Sequence, residues 1–186
     1  MVPKIGLALI LAVFAVGAVA AQNVDAPGAS GPNIPCDRME SVLFHHHAHL
    51  AIYVYGSAQE VPRGIGIGQP WETVPGSDGP VITGGSCFSW LHTHSTNGIL
   101  HVEAPIPRTF TLGDFFAVWG QPLGTSQAAW AAGPVVAYVD GIRVDGDPSA
   151  IVLANLQVIQ LNVGLDSPPP QPYTFPARYA PAPQSP

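Results

Sequence analysis

All seven histidines of the chain fall in three short stretches, FHHHAHL at 44–50, LHTH at 91–94 and HVE at 101–103. Neutral imidazole is the commonest side-chain metal ligand, and three of them on a zinc ion leave a fourth position open. Water held there has its pKa lowered toward about 7, and copper(II) suits the same nitrogen donors. Alternation along a strand puts His92 and His94 on one face, and His101 and Glu103 likewise. Between them, Asn97-Gly98 is the sequence of a two-residue type I′ turn. It predicts a hairpin with His94 opposite His101 and His92 opposite Glu103, so that all four side chains converge.

His92, His94 and His101 are therefore candidate ligands of one divalent transition metal, zinc or copper, with iron a poorer fit. Glu103 has two candidate roles. It accepts the second ring N–H of a ligating histidine and fixes its tautomer, or it is the catalytic proton acceptor beside a metal-bound water. As a direct ligand it would complete the two-His-one-carboxylate set of non-haem iron.

The elements that must position these groups are mostly strands. From Val42 to Tyr55 the even positions form a nearly apolar face, while the odd ones carry His45, His47, His49, Tyr53 and Tyr55. His47 and His49 join the ligand set if this strand neighbours the hairpin. His46, on the apolar face, reads as structural, and His45, at the strand start, as solvated. Cys36 and Cys87 precede the first and second His stretches and are expected to form a disulfide. Closing a loop of that length stabilises by roughly 4 kcal/mol in the chain-entropy account.

A helix is expected over Leu112 to Trp119, with Thr111 as N-cap, Asp114 three residues on and Gly120 as the stop. A weaker one is expected over Ser126 to Ala132. Residues 56–86, rich in Gly and Pro, read as loops with short strands at 65–67 and 81–83. Strands return at Val135 to Val139, Ile142 to Val144, Ile151 to Leu153 and Leu156 to Val163, with a tight turn at Asp140-Gly141. AIYVYG at 51–56 followed by VPRGIGI at 61–67 resembles VAYVDG at 136–141 followed by DPSAIVL at 147–153, either a duplicated strand, tight turn and short strand or a chance likeness of common hairpins. The fold class is mostly β (α+β): an antiparallel sheet, or a barrel-like or β-grasp-like domain, with one short helix and one disulfide.

The N-terminus fits export. Lys4, the apolar stretch Ile5 to Val16 and the small residues Ala18-Val19-Ala20 read as a signal peptide over 1–20, ahead of a flexible linker at 21–35. The single β-rich domain then spans 36–166, and a Pro-rich extended tail 167–186. Tyr173 and Phe175 are the tail residues able to dock. Beyond the signal peptide there are five arginines and no lysine against twelve acidic residues. That balance argues against nucleic acid and anionic membranes as partners. No membrane span is expected in the mature form, and the expected location is the periplasm or the extracellular space.

The block from about residue 47 to 176, above all WLHTHSTNGILHVEAPIPRTFTLGDFFAVWGQPL, resembles a group of exported bacterial proteins. They share an L-H-T-H-x-x-x-G-I-x-H-x-E core followed by F-T-L-G-x-F-F-x-x-W-G. The resemblance implies a common fold and brings no activity with it. In site geometry alone, the three histidines are similar to the zinc site of α-type carbonic anhydrases. Three readings follow: a metal-binding protein, a metalloenzyme for hydration, hydrolysis or O2 chemistry on a small neutral substrate, or a structural and adhesive module without metal.

Overall fold

The computed structural model describes residues 34–165 and 167–179. The expected signal peptide and residues 21–33 of the linker lie outside them. The first half holds β1 (Cys36–Asp37), β2 (Phe44–Val54), β3 (Ser57–Gln59), β4 (Glu72–Val74), β5 (Val81–Gly84), β6 (Phe88–Ser89), β7 (Leu91–His92) and β8 (Ile99–Ala104). Helix α1 (Leu112–Trp119) follows, then β9 (Leu123–Gly124), β10 (Gln127–Ala128), β11 (Ala131–Ala132), β12 (Val135–Val139), β13 (Ile142–Val144) and β14 (Gln157–Val163).

The principal sheet runs β13-β12-β14-β2-β8-β7, with β3 also paired to β2. Its pairs are antiparallel except β14 with β2, which is parallel. The sheet is thus mixed. Strand β2 bonds β14 on one edge, and β8 and then β3 on the other.

Side-chain alternation gives the two faces different chemistry. Ala48, Leu50 and Ile52 of β2, Leu100 and Val102 of β8, and Ile159, Leu161 and Val163 of β14 point into the apolar core. Leu112, Phe115, Phe116 and Trp119 of α1 belong to the same core. The opposite face carries His45, His47 and His49, then His101 and Glu103, then the buried amides Gln160 and Asn162.

Helix α1 forms where its caps predict. Asp114 N–H donates to Thr111 Oγ1 at 3.1 Å, Thr111 N–H donates back to Asp114 Oδ2 at 2.9 Å, and Gly120 closes the helix at φ 71°. The second expected helix is absent, because residues 123–132 fold as the small meander β9-β10-β11. Seven residues nucleate a helix poorly. Here Ala129 takes φ 50°, and the Ala129 and Gly133 amides find the carbonyls of Pro122 and Ser126 instead.

Cys36 and Cys87 form the expected disulfide, with a Cα–Cα distance of 5.4 Å, and β1 pairs with β6 beside it. Ile34, assigned to the linker, is buried in the core, and the Pro35 carbonyl accepts from Trp90 N–H. The tail also belongs to the fold as far as it is described. Asn162 Nδ2 donates to the Pro168 carbonyl at 2.9 Å, and Gln160 Oε1 accepts from Gln171 N–H at 2.8 Å.

The turns separate a correct expectation from a corrected one. Asp140-Gly141 is a two-residue turn with φ 51° and 80° that pairs Val139 with Ile142. Tyr55-Gly56 repeats it at 47° and 81°, pairing Val54 with Ser57, so the two halves of the proposed repeat share a hairpin, while their later segments at 61–67 and 147–153 form no named strand. Asn97-Gly98 does not follow. Only Gly98 of this pair takes a positive φ, 75°, and His92 pairs with His101, not Glu103.

The cause is competition from distant chain. The Thr93 amide donates to the Ile65 carbonyl, the Thr93 carbonyl accepts from Gly64, and the His94 carbonyl accepts from Ile82, all at 2.8–3.1 Å. These bonds hold residues 93–97 away from β8. A slip of two residues keeps every side chain on its face, whereas a slip of one would have inverted them all.

Gly98 is required by proximity as well as by φ. A Cβ there would collide with the Leu50 carbonyl oxygen and lie 3.0 Å from His49 Nε2, whereas a Cβ on Gly141 would meet nothing within 4 Å. Gly141→Ala should therefore cost only the left-handed penalty of about 1–2 kcal/mol. Gly98→Ala should cost clearly more, read as the difference between their urea unfolding midpoints.

Candidate metal centre

Three strands and one loop deliver the donors. Strand β2 supplies His45 and His47, β8 supplies His101 and Glu103, and β7 with the residues after it supplies His92 and His94. The loop between β1 and β2, tethered by the disulfide, brings Glu40. Cross-strand pairing sets His47 beside His101 and His45 beside Glu103 on one side, and His92 beside His101 on the other.

Three groups of donor atoms lie within 4.8 Å of one another: His92, His94 and His101; His45, His47, His101 and Glu103; and Glu40, His92 and Glu103. His92 Nε2 is 3.0 Å from His94 Nε2, and His45 Nε2 is 3.0 Å from His47 Nε2. An ion about 2.0–2.1 Å from each imidazole nitrogen separates two adjacent ligands by about 2.9–3.4 Å. Both pairs fall in that interval.

Hydrogen bonds on the far side of three rings decide which nitrogen is bare. His92 Nδ1 donates to the Ser89 carbonyl at 2.8 Å and His94 Nδ1 to the Ile82 carbonyl at 2.6 Å. A carbonyl only accepts, so each neutral ring carries its proton on Nδ1 and a lone pair on Nε2. Where both rings are neutral, two lone pairs then face each other at 3.0 Å, and a proton on His94 Nε2, held against Glu40 at 3.1 Å, relieves the contact. With Glu103 ionised, His101 Nδ1 donates to its Oε1 at 2.9 Å, which leaves His101 Nε2 bare as well. This contact between Glu103 and His101 is the tautomer-fixing role expected from the sequence.

Burial sets the charge state. His92 is wholly buried, and desolvation, followed by the charge of His94, lowers its pKa to about 3. His47 falls to about 4 by burial first and neighbouring imidazoles next. Burial likewise holds His101 well below the ordinary value, and lowers His45 less far. For His94 burial acts in the same direction, but its contacts with Glu40 and the Ile82 carbonyl outweigh it and raise the pKa. Glu40 is lowered in turn by its 3.1 Å contact with His94. Glu103 is pushed up to about 7 by burial, then by the charge of Glu40. The rings other than His94 are thus neutral at neutral pH and able to ligate.

Of the five histidines expected as ligands, His47, His92, His94 and His101 come together and His49 does not. The His49 ring stacks on Tyr173 of the C-terminal segment, with centroids 3.5 Å apart and planes 10° from parallel. His45, read as solvated, takes part instead, because its partner across the sheet is Glu103 and its Nε2 lies 3.0 Å from Oε1 of that carboxylate. His46 sits on the apolar side against Phe44, at 4.4 Å. Tyr179, at 4.4 Å from His47 and 5.9 Å from His101, covers this end of the cluster. Phe175 docks through Tyr173, edge to face at 5.1 Å.

Glu40 was not legible as a site residue. Its one signal was its place between Cys36 and the first His stretch, since a disulfide to Cys87 carries that loop toward His92 and His94. The chain matches no protein-family profile, no curated protein and no solved structure.

The buried imidazoles make a signed prediction. His47, His49 and His92, at about 4, 4 and 3 in the folded protein, lie below the ordinary imidazole value of 6.5. Between those values the unfolded chain binds more protons, so their stabilisation is complete above pH 6.5 and is lost as pH falls. Glu103 opposes them, stabilising at low pH and losing that contribution as pH rises through about 7. Three groups outweigh one. The melting temperature of chelator-treated protein should fall between pH 6.5 and 4.

Proposed function

We propose that this chain is an exported metal-binding protein whose His-rich centre holds a divalent transition ion, zinc or copper, on His92, His94 and His101. One observation carries the reading: two imidazoles, each with Nδ1 committed to a backbone carbonyl, bring their Nε2 atoms 3.0 Å apart, with a His101 ring nitrogen within 4.8 Å of the pair. Without a metal ion, a proton on His94 Nε2, held against Glu40, relieves the contact of the two nitrogens. With a metal ion, each Nε2 lone pair becomes a bond, and the carbonyls and Glu103 become the partners that keep the rings oriented.

Glu40 offers a carboxylate beside two of these ligands, with Oε1 3.1 Å from His94 Nε2 and 3.7 Å from His92 Nε2. A three-His-one-carboxylate set is compatible with tetrahedral zinc and also with copper(II). Export is supported by the disulfide, by the signal-like N-terminal sequence and by the resemblance to exported proteins with the same L-H-T-H core. Among the described residues no helix is long and apolar enough to cross a membrane.

The metalloenzyme reading keeps one point in its favour. Glu40 is a partly exposed carboxylate, so it can leave the ion and open a position for water and a small neutral substrate. Glu103, the proton acceptor expected from the sequence, is committed to His101 and His45. The adhesive reading fares worse, because residues 167–179 and the tyrosines among them lie over the His face.

Protein exported by its host and purified without a metal-affinity step should carry zinc or copper by elemental analysis, and a paramagnetic signal would identify copper. Ion supplied at a hundred times its dissociation constant should stabilise chelated protein by about 2.7 kcal/mol. His94→Ala and His101→Ala should abolish that gain. No bound ion, and no gain with either metal, would count against the reading.

A further inference from the structure

We propose a second metal position in the same centre, formed by His45, His47 and Glu103 and separate from the ion on His92, His94 and His101. The inference rests on the metal-binding reading and extends it from one ion to two.

The donors are too many and too widely spread for a single ion. Five imidazoles and two carboxylates converge, against four ligands for zinc. An ion with bonds of about 2.1 Å keeps all its donors within about 4.2 Å of one another. Even at 4.8 Å, no group among the described residues contains both the His45–His47 pair and the His92–His94 pair. Each pair is closed on itself at 3.0 Å, and His101 belongs to the groups of both. The sequence shows the same duplication, as H-x-H at 45–47 and again at 92–94.

Glu103 is the residue that links the two positions. It is 3% exposed, and its Oε1 lies 2.9 Å from His101 Nδ1 and 3.0 Å from His45 Nε2. Its Oε2 is buried and has no hydrogen-bond partner. An orphaned buried carboxylate oxygen is costly. A cation beside His45 and His47 would give it a partner and would also explain why a carboxylate is kept in a desolvated place. Through the bond to His101 Nδ1, charge at the second position reaches a ligand of the first.

The two positions should differ in affinity. His92 and His101 are buried, with carbonyl or carboxylate partners, whereas His45 is 37% exposed and Arg178 adds positive charge near His47. The outer position is therefore the weaker and the more readily exchanged.

Titration of chelated full-length protein with zinc alone, and separately with copper(II) alone, tests this by calorimetry and by metal analysis after gel filtration. Two equivalents are expected, one tighter by tenfold or more. H45A/H47A should lose the weaker equivalent and keep the tighter one, and that retention also reports that the variant is folded. His45→Ala, at the exposed edge, should weaken the second equivalent at least tenfold without touching the first. With two coppers bound, a coupled electron-spin signal should replace that of one isolated ion. A single equivalent that survives H45A/H47A would overturn the second position and leave the metal-binding reading intact. A single equivalent that H45A/H47A abolishes would overturn it in favour of one ion spanning both pairs. No binding of either ion by wild-type protein would sink the underlying reading itself.

Discussion

Everything in this molecule depends on β2 sitting inside the sheet, with β14 on one edge from Ala48 to Val54 and β8 then β3 on the other. Along its whole length its side chains alternate between the two faces. Its sequence commits those faces to opposite chemistry, apolar at Ala48, Leu50 and Ile52 and imidazole at His45, His47 and His49. Both faces must then be covered. Helix α1 and its core neighbours cover one, and the C-terminal segment covers part of the other. The imidazoles are pressed into a low-dielectric layer between sheet and cover, which is why most of them are held neutral.

Neutrality alone does not make a ligand, because a neutral ring can present either N–H or lone pair. That choice is made by groups outside the cluster. The Ser89 carbonyl lies at the end of β6, the Ile82 carbonyl lies in β5, and Glu103 lies in β8. The loop-rich region from 56 to 86 therefore contributes chemistry through its backbone. By bonding residues 93 and 94 it sets the β7–β8 register, and by accepting from His94 Nδ1 it sets the tautomer.

What could be read from the sequence was mostly what local interactions decide. The capping box of α1, the turn at Asp140-Gly141 and the alternation of β2 are settled within a few residues, and all appear as expected. Asn97-Gly98 carries an equally local signal, yet bonds from Gly64, Ile65 and Ile82 override it, and those partners are invisible to a local reading. The shared face of His92, His94, His101 and Glu103 persisted only because the displacement was an even number of residues. Whether His45 or His49 joins the cluster could not be read, since both lie on the same face of β2. The pairing with Glu103 rather than Ile99, and the Tyr173 ring stacked on His49, make the difference.

The cover over the His face is built from an unusual material. Pro168, Pro169, Pro170 and Pro172 have no amide N–H, so the segment meets the sheet with carbonyl oxygens, and Gln160 and Asn162 supply the donors. A segment of ordinary residues laid across a β-sheet would offer a row of free donors and acceptors to any passing strand. This one offers half a ladder. The part of the polar face it covers is closed by a strip of chain whose prolines remove most of the donors a further strand would need at 168–172, so this stretch gives little encouragement to self-association.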